Sequence, residues 1–183
     1  VLKNNNNQNK ETKEEIQENK KDDKEEKEEN KIYGYLAIFD EETSRILELN
    51  SNGDNKELAN KYNGGLCIVL RLSVEDYHRY FYLDDCTKEN NVFIKGKLHT
   101  VQPYALSKRK VFSENCREYT IMHTKNFGDI TQVEVGAMMV GRIVNNHQEG
   151  EFKRGEEKGK FEFGGSTIVL LVEKDKVILD EEF

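Results

Sequence analysis

Tryptophan is absent, proline occurs once, at Pro103, and the three cysteines, Cys67, Cys86 and Cys116, lie far apart. An odd number of widely spaced cysteines suits neither a disulfide framework nor a CxxC metal or redox site, so a reducing, intracellular setting is expected. The longest apolar runs, 66–70 and 168–172, hold five residues each. A helix crossing a bilayer needs about 20 apolar residues, so none is expected here. Basic residues are in deficit: 28 Lys and Arg face 35 Asp and Glu, for a formal charge of -7. That balance excludes a general nucleic-acid binder, which needs a dense cationic face. His99, His123 and His147 are too scattered for metal-ligand spacing, and no metal is expected. No signal-peptide pattern opens the chain, and its start at Val1 suggests that upstream sequence has been removed.

What remains divides at residue 31. Residues 1–31 are nearly all Asn, Gln, Lys, Glu and Asp, with Val1, Leu2 and Ile16 as the apolar exceptions. Such a segment cannot bury enough surface to offset its ordering entropy, and a disordered N-terminal tail is expected. From Ile32 onward, short apolar or alternating runs are separated by Gly, Asn and Asp, the texture of strands and turns. Strands are expected at 32–39, 66–72, 91–98, 118–124, 131–144, 167–172 and 176–179, with short helices at 55–62 and 73–80. The expectation is one domain over 32–183, mainly β (α+β), a single β-sheet or barrel-sandwich-like unit with a few short helices. Met138 and Met139 are expected to pack within the 131–144 strand.

The most informative segment runs from Gly155 to Thr167: Gly-Glu-Glu-Lys-Gly-Lys-Phe-Glu-Phe-Gly-Gly-Ser-Thr. Gly164-Gly165-Ser166-Thr167 by itself could be an ordinary turn. The thirteen-residue pattern, however, resembles the G-x-E-x-G-x-F-x-F-G-G-S-T signature of phosphatidylserine decarboxylases. Asp76-Tyr77-His78-Arg79 resembles that family's D-Y-H-R box. Val101-x-Pro103-x-Ala105-Leu106, Asn115-x-Arg117 and Val133-Glu134-Val135-Gly136-Ala137 follow in family order and spacing. The resemblance covers roughly residues 56 to 179.

The resemblance implies a proenzyme that cuts itself between Gly165 and Ser166. Gly165 has no side chain to shield its carbonyl, so the Ser166 hydroxyl can attack at close range. An N-to-O acyl shift followed by elimination and hydrolysis would turn Ser166 into a pyruvoyl group. Its ketone can condense with the amine of phosphatidylserine and act as an electron sink when carbon dioxide leaves. Phosphatidylethanolamine would be the product. Asp76, Tyr77, Arg79, Gly164 and Thr167 are implied as supporting residues. His78 is the implied acid for the resulting carbanion. The resemblance also implies peripheral association with a membrane surface, and a piece beginning at Ser166 that stays as a second subunit.

Two features depart from the family pattern. The family box continues D-Y-H-R-x-H, and the second histidine is implied in self-cleavage together with an upstream aspartate in an S-P-x-D-G segment. Here that histidine position is Phe81, whose ring cannot accept a proton, and no S-P-x-D-G segment is present. Asp84 and Asp85 are the nearby carboxylates that could replace the aspartate. An uncleaved, inactive relative that binds lipid or a partner is the alternative. A swinging-arm carrier domain is excluded by the missing lysine.

Overall fold

The structure is a computed structural model that describes residues 34–39, 45–47, 55–73, 75–106, 108–138, 142–162 and 166–178. The tail at 1–31 lies outside them, as do Met139, Gly164 and Gly165.

Eleven strands form two antiparallel sheets among the described residues. The larger contains β1 (Gly34–Ile38), β2 (Leu66–Leu72), β4 (Cys86–Lys88), β5 (Val92–Ile94), β6 (Arg117–Thr124), β7 (Gly128–Val135), β9 (Gly150–Phe152) and β11 (Ser166–Val172). Its order is β1-β2-β11-β7-β6-β4-β9, with β5 also pairing β6. The smaller sheet runs β3-β10-β8, from β3 (Arg79–Phe81), β10 (Glu157–Glu162) and β8 (Arg142–Asn145). After β7 the chain alternates between the two sheets, so the expected single strand at 131–144 is instead β7 and β8. The β7 ladder ends where the Asn115 side-chain amide takes the Gly136 carbonyl.

Seven successive residues of β11 are buried. Both faces of this central strand are covered, which is why Ile-Val-Leu-Leu-Val reads as a continuous apolar run. One face, through Val169 and Leu171, packs with Phe39, Tyr62 and Tyr119. α1 (Lys56–Tyr62) covers that side. The other face, through Ile168, Leu170 and Val172, packs with Tyr80, Tyr82 and Phe161 of the smaller sheet and its flank.

Two short helices, α2 (Pro103–Leu106) and α3 (Val111–Glu114), precede β6. The expected helix at 73–80 does not form. The Asp76 carboxylate folds back onto the Ser73 N–H (2.6 Å) and hydroxyl (2.9 Å), closing a turn that feeds β3. Residues 176–178 form no strand, and Met138 is exposed beyond the end of β7 rather than packed within it.

The signature segment begins with the turn into β10 and continues through that strand. Gly155 takes φ +84° in the preceding turn, a conformation that disfavours side chains. At Gly159 a Cβ would meet the Val144 carbonyl oxygen at 2.3 Å, so only glycine allows β8 and Tyr80 to approach this closely.

Candidate active site

Ser166 opens β11, paired with Leu72 of β2. By strand alternation its side chain shares a face with Ile168 and Leu170, the face that meets the smaller sheet. Ser166 and Thr167 are both fully buried, and neither hydroxyl finds a hydrogen-bond partner among the described residues. A buried hydroxyl left without a partner costs about 1–3 kcal/mol, so such atoms mark places where another requirement outweighs stability.

His78 lies just before β3. Its backbone carbonyl accepts the Phe161 N–H at 2.9 Å, and its ring meets Phe161 edge-on at 6.4 Å. Phe161 and Ser166 are five residues apart in sequence, which limits their Cα separation to about 18 Å. His78 Nδ1 lies 2.6 Å from the Asp76 carbonyl oxygen. Donation there leaves Nε2 with its lone pair, and Nε2 is buried without a hydrogen-bond partner among the described residues.

The remaining residues of the D-Y-H-R box are engaged on either side of this histidine. The Ser73 backbone N–H, then its hydroxyl, hold the Asp76 carboxyl below its usual range while closing the turn. Arg79 reaches across to Glu157 of β10, with NH1 2.5 Å from Oε1. Tyr77 is exposed and stacks on Phe81 with ring centroids 6.5 Å apart. Within β3, Tyr80 turns into the core while Arg79 and Phe81 turn outward.

Asp84 and Asp85, considered as substitutes for the aspartate, are committed elsewhere. Asp84 accepts from the Asn126 backbone (2.7 Å) and side-chain amide (2.9 Å). Asp85 accepts from the Arg154 N–H (3.0 Å) and pairs with Lys153 (3.3 Å). Both pin turns. His99, His123 and His147 are each engaged with neighbouring side chains, and no group of three or more ligand-type residues is arranged for a metal among the described residues.

An unexpected feature lies between the sheets. Lys158 of β10 and Glu134 of β7 form an ion pair at 2.6 Å with both side chains fully buried. Asn145 accepts from Lys158 at 2.8 Å and donates to Glu118 at 3.0 Å, and Gln132 donates to Glu134 at 2.9 Å. Burial raises the Glu118 carboxyl above its usual range. Lys88, also buried, donates to the backbone carbonyls of Glu89, His147 and Gln148. Burial first, then the nearby Lys158 charge, lowers its pKa to about 8. Glu134 pairs directly with Ile168, two residues along β11 from Ser166. The available sequence signals were an acid inside the apolar run Val133-Glu134-Val135 and a lysine inside the signature.

Asn115 and Arg117 are structural. Asn115, fully buried, binds both the N–H and the carbonyl of His99 as well as Gly136. Buried Arg117 donates to the carbonyls of Ile46, Ser113 and Asn115.

Comparison with known proteins gives the same answer as the motifs. The phosphatidylserine decarboxylase family profile matches residues 12–182. Phosphatidylserine decarboxylase proenzyme 2 of Clostridium acetobutylicum is 47% identical over 129 residues, 70% of this chain and 44% of that protein. The proenzyme of Clostridium novyi is 50% identical over 130 residues, again 70% and 44%. That of Clostridium botulinum strain Langeland is 44% identical over 131 residues. The chain thus spans less than half the length of these curated relatives. With the family profile matching nearly the whole chain and the signature supplying the turn before β10, β10 itself and the start of β11, this chain belongs to the phosphatidylserine decarboxylase family.

Proposed function

We propose that this protein is a self-processing, pyruvoyl-dependent phosphatidylserine decarboxylase, cut between Gly165 and Ser166, that acts at a membrane surface and forms phosphatidylethanolamine. The observation that carries this reading is that Ser166 Oγ and His78 Nε2 are both buried without a hydrogen-bond partner among the described residues, in a family whose members are named as proenzymes.

A pyruvoyl group formed from Ser166 would supply the electron sink that stabilises charge when carbon dioxide leaves the substrate. The residues present suit such a group: the Ser166 side chain is water-excluded and uncommitted, and Gly165 precedes it. His78 supplies the proton movement. With Nδ1 directed to the Asp76 carbonyl, Nε2 takes up a proton and returns it to the substrate carbon. The Asp76 turn and the Arg79–Glu157 bridge fix the backbone on either side of this imidazole. Self-cleavage need not scatter the pieces, since β11 is bonded on both sides, to β2 and β7.

The test is release of labelled carbon dioxide from carboxyl-labelled phosphatidylserine. Ser166→Ala should release none. His78→Gln should still be cut but turn over at least about 100-fold more slowly. An uncleaved lipid-binding relative would release none in any form, including the wild type.

A further inference from the structure

We infer that the segment between β5 and β6 is the surface that docks this protein on an anionic lipid bilayer. From Asn90 to Ser113 the sequence holds five cations, Lys95, Lys97, Lys108, Arg109 and Lys110, and no acid, in a chain whose overall charge is -7. All five residues are exposed. Among them stand exposed apolar side chains, Leu98 at 42% and Tyr104 at 66%, and Met138 at 56% is attached to the segment through its N–H to the His99 carbonyl. Glu114, the acid that follows the segment, pairs with His99 at 3.2 Å and reaches Arg109 at 4.0 Å, so it offsets part of one of the five charges. Cations interleaved with exposed apolar groups are the composition that an anionic headgroup layer attracts.

Position supports the same occupant. Asn115 ties His99 to Gly136, the residue after Val135, and Val135 pairs with Thr167. The basic segment is therefore held at the end of the larger sheet where Ser166 begins β11. Behind it lies a cavity of about 240 Å³ lined by Cys67, Val69 and Val169 together with Arg109 and Lys110, an apolar space beside cations on the sheet face opposite the Ser166 side chain. A bilayer resting on this segment would present its lipids at the end of the sheet that carries the reacting residue.

The inference deepens the decarboxylase reading, yet its test does not depend on turnover, because binding is measured with Ser166→Ala as the parent protein. The probe is co-sedimentation with phosphatidylcholine vesicles containing about 30 mol% phosphatidylglycerol, against pure phosphatidylcholine, at low and high salt. Binding should require the anionic lipid and weaken with salt. Lys108→Gln, Arg109→Gln and Lys110→Gln together should reduce affinity about 100-fold, from three charges each contributing about fivefold at the surface. The matched control, Lys125→Gln, Lys174→Gln and Lys176→Gln at the far end of the sheet, should change it less than about threefold. Since the chain lacks tryptophan, Tyr104→Trp gives a second readout, quenched by brominated acyl chains when the segment meets the bilayer. Equal binding to both vesicle types, equal losses from the two triple variants, or no quenching at position 104 would overturn the assignment.

Discussion

Glu134 and Lys158 join the two sheets through an ion pair that no water reaches, with 2.6 Å between carboxylate and ammonium. The desolvation of two such charges is balanced only while both are present. Glu134→Ala should therefore destabilise the protein by about 3–5 kcal/mol, since it leaves the Lys158 charge buried and uncompensated. Glu134→Leu combined with Lys158→Met should recover much of that loss. Urea unfolding of the single and double variants measures both. A loss below about 1 kcal/mol for the single change would show that Lys158 finds another partner.

His123 is held between two carboxylates, Nδ1 2.8 Å from Asp129 and Nε2 2.9 Å from Glu89. The hydrogen bond that His123 donates to Asp129, ahead of the one to Glu89, raises its pKa above the ordinary histidine value. Because the folded state holds this proton more tightly than the unfolded state, the stabilisation is complete below the unfolded pKa of about 6.5 and is lost as pH rises through the raised folded value. His123→Gln should remove that segment of the stability–pH curve and also weaken the acid limb, because, against the effect of burial, Lys61 and then His123 hold the Asp129 carboxyl below its usual range. Identical curves for the two proteins would show that the carboxylates do not retain the proton.

Phe81 stands where the family box has its second histidine, is 41% exposed, and stacks on Tyr77 outside the core. Phe81→His should be tolerated by the fold and should raise the yield of cleaved chain. Asp84 and Asp85 are occupied by turn contacts, so the gain should stay near the lower end of general-base effects, about 100-fold or less. Denaturing gels over a time course read it. Equal cleavage would show that Phe81 does not limit processing.

Much of this was legible beforehand where burial was complete. β11, buried at every position, reads as an unbroken apolar run and differs from its expected bounds by one residue, and β2, only partly buried, matches its bounds through the apolar run 66–70. β3, β4 and β9, at three residues each, are too short to carry a period. β10 was missed because its buried lysine looks like a surface residue until Glu134 is known to face it. A helix was expected at 73–80, but the Asp76 carboxylate accepts from the Ser73 N–H and hydroxyl and closes a turn instead. Ser166 and His78 were legible as motif residues. Their shared property, a buried polar atom without a partner, required the fold.

The account depends on whether Ser166 becomes the cofactor, and the mass of the purified chain reads this directly. Wild-type protein should give two pieces, the smaller beginning at position 166, blocked to Edman degradation and trapped by borohydride in the presence of phosphatidylserine. The pieces should separate only in denaturant, because β11 is hydrogen-bonded to both β2 and β7. Ser166→Ala should run as one uncut chain, folded to within about 1–3 kcal/mol of the wild type. A wild-type chain that remains intact, with no trapped adduct, would contradict the account.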